Sequence, residues 1–344
     1  MSLKATFEKR IFTFKKPSGT SRGVLTEKKA WFITIWNKEN PSVHGIGECS
    51  IIPKLSPDYE SEEQYELKVK EVAEKISVFA ENLDALKAFP SIYFGLEMAL
   101  MDLNNGGKRM YFDTSFYRGK TSLPINGLIW MGAPDFMEEQ IQEKLKAGFS
   151  CIKMKIGAID FEEELRLIKM IRKNHSADKI TLRVDANGAF SPSDALEKLK
   201  ELAKYDIHSI EQPIKQGQWK AMRSLCDVTP LPIALDEELI GIHSLEDKRE
   251  MLEAIHPQYI ILKPSLVGGF KGCVEWIELA GSMNIPWWIT SALESNIGLD
   301  AIAQFTSIFP VKLPQGLGTG SLYTNNISSD LVVENGEIRK ETSC

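Results

Sequence analysis

Two patterning regimes divide the chain. In the first, apolar positions alternate: Leu3, Ala5 and Phe7, then Ile11, Phe12 and Phe14, predict a strand over 3–14. The run Ala-Trp-Phe-Ile-Thr-Ile-Trp at 30–36 predicts a second strand, and 44–49, after Asn40-Pro41, a third. Together they read as an antiparallel meander. The polar, Gly-bearing stretch 17–28 reads as a loop between the first two. Helices are expected next. Residues 60–80 carry apolar positions at Leu67, Val69, Val72, Ile76 and Phe79; residues 91–104 start at Ser91 as an N-cap and end at Asn105-Gly106-Gly107. Strands followed by helices define an α+β unit.

From about residue 123 the second regime begins. Short apolar runs at 125–130, 150–155, 180–185, 208–211, 231–236, 258–263 and 286–290 alternate with helical segments such as 135–147, 160–173, 192–204, 244–255 and 270–283. Several runs are nearly continuously apolar, as strands covered on both faces require. Pro192 falls near the start of its helix, where a missing N–H is tolerated. A last helix is expected over 297–308, and an eighth strand near 311–314. Asn335-Gly336, inside 331–339, is a hairpin signal. That hairpin is expected to return to the N-terminal unit.

Length and charge narrow the class. The 344 residues suit a barrel of typically ~250 residues plus a smaller partner. The net charge of -6 argues against a nucleic-acid surface and against an anionic membrane. The cysteines (Cys49, Cys151, Cys226, Cys273, Cys344) are odd in number, match no zinc pattern and read as reduced thiols, with Cys151 and Cys273 packed in apolar surroundings. No secretory signal or membrane-length apolar run is visible, so a cytoplasmic location is expected.

The chemistry gathers at strand ends. Lys153 and Lys155 (Ile-Lys-Met-Lys-Ile-Gly), Asp185 (Val-Asp-Ala-Asn-Gly), Glu211 (Ile-Glu-Gln-Pro), Asp236 (Leu-Asp-Glu) and Lys263 (Leu-Lys-Pro-Ser) each close a short apolar run. They recur about every 25–30 residues, one β/α unit apart, so in a parallel barrel they converge on one rim. Singly, most have bland readings. Strand-end lysines are usually solvated, Asp-Ala-Asn-Gly is a good turn, and Asp236-Glu237-Glu238 suits a helix N-terminus. Glu211 is less easily explained by solvation. As a set, the three acids offer a hard oxygen site suited to Mg²⁺. Lys153 and Lys155 share one strand face, where mutual repulsion and burial free a neutral base. Lys263 faces them across the mouth. Proton abstraction beside a metal-held carboxylate follows. The histidines show no ligand spacing, Gly316-x-Gly318-x-Gly320 lacks the helix of a phosphate loop, and Ser291 and Ser295 lack a hydrolase nucleophile's setting.

In their order these motifs resemble the muconate-lactonizing-enzyme branch of the enolase superfamily. Segments 124–132, 290–299 and 316–326 further resemble the family in that branch that makes o-succinylbenzoate. The likeness covers nearly the whole chain. It implies a modified TIM barrel, (β/α)7β, over 121–314, under an α+β capping domain built from 1–120 with 315–344 returning to it. It implies Mg²⁺, with Mn²⁺ as the alternative, on Asp185, Glu211 and Asp236. The implied reaction is a dehydration in menaquinone biosynthesis. Lys155 is then the acid/base, Lys263 the opposed cation, and Lys153 an electrostatic aid that touches the substrate carboxylate. Asn187, Ser291 and Glu294 would line the pocket, and Gly318 and Thr319 receive the succinyl end. Gly19, Thr20, Ser21, Arg22 and Gly23 match the family's mobile lid.

Dipeptide epimerases and N-succinylamino-acid racemases share these motifs because they share the enolisation step. Epimerases of the branch usually carry an Asp-x-Asp segment near the barrel's end, whereas 313–320 here holds no acid. That disfavours a free amine and favours a small amine-free carboxylate as partner. A barrel that binds a metal or small acid without turnover would be expected to lack one of the lysines or acids. A homo-oligomer is compatible with the sequence.

Overall fold

The computed structural model describes residues 2–20 and 23–341. Two of the residues assigned to the lid, Ser21 and Arg22, lie outside the described residues, as does Cys344. The alternating N-terminal runs form β1 (Leu3–Thr20), β2 (Gly23–Asn37) and β3 (Asn40–Ser50), an antiparallel sheet in that order. Where a loop is expected at 17–28, residues 17–20 and 23–28 are instead strand. After a register shift between Thr13 and Ser18, β1 and β2 go on to pair Ser18 with Leu25, Gly19 with Val24 and Thr20 with Gly23. A hairpin satisfies its own backbone groups. The ribbon is two-sided: Gly23, Val24, Thr26 and Glu27 are exposed, whereas Ser18, Gly19 and Lys28 are buried against the rest of the molecule.

The single helix expected over 60–80 is two, α1 (Glu62–Glu74) and α2 (Ile76–Glu81), broken at Lys75 (φ −108°, ψ 30°). Ser61 caps α1, its side chain accepting from Gln64 N. Helix α3 (Pro90–Asn104) begins one residue before the expected start, with Pro90 in the first turn, where no N–H is needed. Ser91 is therefore inside the helix and not its cap; its Oγ reaches Asp58 Oδ2 at 2.5 Å. Helix α3 crosses β3 very closely: a Cβ at Gly47 would lie 1.7 Å from the Gly95 carbonyl oxygen. Trp31, Ile33, Ile35, Val69, Val72 and Leu96 fill this first core.

After β4 (Ser122–Pro124) the chain alternates. The order is β5 (Gly127–Ile129), α4 (Pro134–Lys146), β6 (Cys151–Lys155), α5 (Phe161–Asn174), β7 (Thr181–Asp185) and α6 (Ala195–Ala203). It continues with β8 (Ser209–Glu211), α7 (Trp219–Val228), β9 (Ile233–Leu235), α8 (Leu245–Ile255) and β10 (Tyr259–Leu262). Last come α9 (Pro264–Val267), α10 (Gly269–Ser282), β11 (Trp287–Ile289) and α11 (Asn296–Thr306). Strands β5 to β11 form one sheet in chain order, parallel throughout. This is the expected barrel, with its seven strands. Helix α6 starts at Ala195, three residues later than expected, with Pro192 in the preceding turn.

The barrel closes elsewhere than expected. No strand forms at 311–314; parallel bridges Ile125↔Gln315 and Thr290↔Gly316 stitch the first strand to the last. Pro314 has no N–H to give a ladder, and its carbonyl accepts from Arg183 at 2.8 Å. The closing hairpin, β12 (Leu331–Glu334) and β13 (Glu337–Lys340), turns at Asn335-Gly336 as expected, but β13 pairs with β4 and not with the first sheet. The first sheet is met earlier in the tail, where Lys15 N donates to Leu322 O and Thr324 N to Thr13 O. Cys49, Cys151, Cys226 and Cys273 are buried free thiols. No helix among the described residues is long and apolar enough to cross a membrane.

Candidate active site

Alternation on the strands decides which side chains face the barrel mouth. On β6, Lys153 and Lys155 share a face, and Lys155 stands in register with Asp185 at the end of β7. Asp185 in turn pairs with Glu211 at the end of β8, and Glu211 with Ala234 on β9, two residues before Asp236. Lys263 follows β10 directly. The parallel ladder therefore carries the acids around the rim side by side, and all six residues are buried, none more than 9% exposed.

Ion pairs join Lys153, Lys155, Asp185 and Glu211 in one cluster and Lys263 to Asp236 in another. Lys153 Nζ lies 2.7 Å from Glu211 Oε2 and 3.1 Å from Asp185 Oδ2; Lys155 Nζ lies 2.9 Å from Asp185 Oδ2 and 2.7 Å from Asn187 Oδ1. Lys263 donates to Asp236. Asn187 sits at φ 45°, and its Nδ2 donates to Glu237 Oε1 at 3.0 Å, which aims its oxygen at Lys155. Behind the rim, buried Gln212 accepts from Asp236 N and Glu238 N and donates to Glu238, bracing the end of β9.

The lysines differ in electrostatics. Burial opposes the charge on Lys153, but Glu211 and Asp185 outweigh it and its pKa is raised. Lys263 is raised likewise by Asp236, Glu211 and Glu237 against the cost of burial. For Lys155 burial wins: with the charge of Lys153 beside it, its pKa is lowered despite Asp185. Of the three, Lys155 most readily becomes a neutral base. Burial would raise Asp185, yet Lys155 and Lys153 hold its carboxyl well below the usual range. Glu211 is pushed upward by burial and by repulsion from Asp185 and Asp236.

The acids fit a hard cation. Glu211 Oε1 is buried with no hydrogen-bond partner, and three carboxylates crowd one floor. A divalent ion would satisfy that oxygen and relieve the repulsion. Among the described residues no three acid, histidine or cysteine side chains already lie at ligand spacing. The ammonium groups stand among the carboxylates instead and would have to swing aside.

A cavity of ≈ 220 Å³ opens above this floor. Lys153, Lys155, Asp185, Asn187 and Lys263 line its base; Ser291, Gly318 and Thr319 line its side, and Thr20 and Gly23 at the hairpin tip reach its mouth. Glu294 does not line it: both carboxylate oxygens are taken, by Ser265 Oγ at 2.5 Å and Ser291 Oγ at 2.6 Å, in full burial. Glu294 braces the wall, having a carboxylate too costly to bury unpaired. Gly19 is also off the lining; it bridges Met131 beyond β5 and seats the hairpin on the barrel. Trp130, whose ring lies 5.9 Å from Lys155 Nζ, carries no signal in the sequence that marks it as a pocket residue. Nor do Asn126, Lys54 and Lys28 stand out in the sequence. Lys28 is a buried ammonium on β2 that donates to Ala292 O at 2.6 Å. Its signal was weak, because a lysine in a polar ribbon reads as solvated.

The model of the enolase C-terminal domain-like family matches residues 136–342, so the class is an enolase-type barrel enzyme. The chain is 47% identical to o-succinylbenzoate synthase of Desulfotalea psychrophila over 97% of this chain and 98% of that protein. The crystal structure of MenC from Desulfotalea psychrophila LSv54 superposes with a TM-score of 0.87 at 43% identity, covering 98% of this chain and 100% of that one. A Cytophaga hutchinsonii dipeptide epimerase, solved with Mg and D-Ala-L-Val, shares the fold at a TM-score of 0.83 and 22% identity, covering 98% of this chain and 93% of that one. The chain belongs to the o-succinylbenzoate synthase family of the enolase superfamily.

Proposed function

We infer that the chain catalyses the o-succinylbenzoate synthase reaction, a hydro-lyase step of menaquinone biosynthesis. Water is lost from 2-succinyl-6-hydroxy-2,4-cyclohexadiene-1-carboxylate. The observation that carries the chemistry is the opposition of Lys155 and Lys263 across Asp185, Glu211 and Asp236, all buried beneath one cavity. The near-full-length identity to a synthase carries the substrate.

Asp185, Glu211 and Asp236 would hold Mg²⁺, which when bound supplies positive charge where the substrate carboxylate becomes an enediolate. Lys155, the lysine with the lowered pKa, removes the proton from the ring carbon bearing the carboxylate. It then delivers that proton to the hydroxyl leaving the adjacent carbon, so one group serves as base and acid. Lys263 stays charged on the opposite side and faces the electron-rich ring. Lys153, also held charged, stabilises the developing oxyanion. Asn187 fixes the position of the Lys155 ammonium. Thr20 and Gly23, at the mouth of the cavity, would help to exclude water from the bound substrate.

The experiment is turnover of the cyclohexadiene substrate with Mg²⁺ by the wild type, Lys155→Ala and Lys263→Ala. Loss of a positioned acid/base costs about 10²–10⁴-fold, so both variants should fall at least a hundredfold. Near-wild-type turnover by either would overturn the base assignment. Rapid epimerisation of L-Ala-D/L-Glu without dehydration would overturn the reaction itself.

A further inference from the structure

The upper part of the cavity holds a cation that the dehydration chemistry does not use. Between β3 and α1 the chain makes a tight turn, with Leu55 N and Ser56 N donating to Ile52 O and Ile52 N donating to Ser56 Oγ. Buried Ile52 and Leu55 pin the turn to the core, while Lys54 stands exposed at its apex with φ 66°. A bulky residue in left-handed backbone is uncommon, and such strain is tolerated where the surroundings dictate it. Lys54 lines the cavity and has no hydrogen-bond or ion-pair partner among the described residues. The lysines at the base are all engaged: Lys153, Lys155 and Lys263 each pair with an acid. The wall between is mostly apolar, with Leu25, Leu55, Leu128, Trp130 and Leu293. Two polar atoms on it, Asn126 Oδ1 and Thr319 Oγ1, are buried without partners.

We propose that Lys54 is a specificity-determining residue that receives a second carboxylate, borne on the arm of the substrate that points out of the barrel. The proposal rests on the reading of the site given above. A ligand held by one carboxylate at the floor must lay its remaining length along the apolar wall. An anionic end there pays for desolvation unless a cation meets it. Lys54, presented on a braced turn, meets it at the mouth. The cavity is thereby matched to dianions with their charges at opposite ends, and mismatched to acids whose far end is apolar or amino.

The test compares two probes on the Mg²⁺-loaded enzyme by calorimetric titration. One is the product, o-succinylbenzoate; the other is 2-butanoylbenzoate, in which the terminal carboxylate is replaced by methyl. The wild type should bind the dicarboxylate about tenfold more tightly, which is 1.4 kcal/mol. Lys54→Met should erase that ratio by weakening the dicarboxylate alone, and Lys54→Arg should keep it. Raising ionic strength should shrink the wild-type ratio and leave that of Lys54→Met unmoved. An unchanged ratio in Lys54→Met, or equal weakening of both probes, would overturn the proposal. The dehydration assay fails or succeeds on the wild type alone, so failure of the functional reading is seen separately.

Discussion

Lys28 allows a quantitative test of how the first sheet holds the pocket wall. It leaves β2 for the interior, is 3% exposed, and donates to Ala292 O on the loop that carries Ser291 and Leu293. Burial pushes its pKa down from 10.5 to about 8, against the pull of Glu294 and Glu48. The unfolded chain keeps that proton until the ordinary lysine range, whereas the folded chain releases it near pH 8. Between those values the unfolded state binds more protons, so stability must rise with pH. At 1.36 kcal/mol per unit, the gain between pH 7 and pH 9.5 is about 2 kcal/mol. Lys28→Met keeps the length and apolar character of the side chain and abolishes the titration. With a urea slope of roughly 4 kcal/mol/M for a chain of this size, the wild-type midpoint should gain about 0.5 M over that of Lys28→Met from pH 7 to 9.5. Other titrating groups cancel in the comparison. The variant also leaves Ala292 O without its donor, so KM should rise several-fold at pH 7 with kcat little changed. Equal pH slopes in the two proteins would refute the reasoning, because the buried ammonium would then carry no linkage.

Three further outcomes follow from the geometry. Gly47→Ala forces a methyl against the Gly95 carbonyl; overpacking of this kind costs about 1–3 kcal/mol or more, so thermal unfolding should show a Tm lower by several degrees. Asn187→Ala removes the 2.7 Å acceptor that holds Lys155. A hydrogen bond to a charged group is worth about 1.5–3 kcal/mol, so kcat should drop roughly 10–100-fold while Mg²⁺ affinity by calorimetry holds. Chelation of divalent ions should abolish turnover and lower Tm, and added Mg²⁺ should restore both, since a ligand that binds only the folded state stabilises it.

The barrel was legible because its signals are local and repeated. Five of the seven strands, β6 to β10, are apolar runs with an ionisable residue at or just past their ends, and the ladder brings those ends together whatever the loops do. The lysines and acids at 153, 155, 185, 211, 236 and 263 were found for that reason. What failed was governed by tertiary contact. The segments 17–20 and 23–28 are polar although Ser18 and Lys28 are buried, and pairing rather than composition makes them strand. Ser91 looked like a cap by residue type, but Asp58, distant in sequence, claims its hydroxyl. The barrel's last closure is two residues long, too short for any periodicity to show. Glu294 read as a pocket residue; only the positions of Ser265 and Ser291 reveal that its oxygens are spent on structure.

Those contacts place the strand-borne acids and lysines and the cavity wall under the control of different parts of the fold. The acids and lysines sit on the parallel ladder, where moving one means moving a strand. Much of the cavity wall, including Leu55, Trp130 and Leu293, is loop, and the first sheet holds it in place. Glu48, at the end of β3, accepts from Ser295 N at 2.8 Å, Ser295 Oγ at 2.6 Å and Gly298 N at 2.9 Å, closing the N-terminus of α11. Lys28 fixes Ala292 from β2, and Glu294 links the same loop to Ser265, two residues past Lys263. The turn bearing Lys54 leaves the end of β3 only a few residues after Glu48. A change of register or tilt in the first sheet would therefore reshape the wall through Glu48 and Lys28 while leaving the ladder intact. Substitutions in β2 and β3 should consequently act on KM and substrate preference more than on the proton-transfer step.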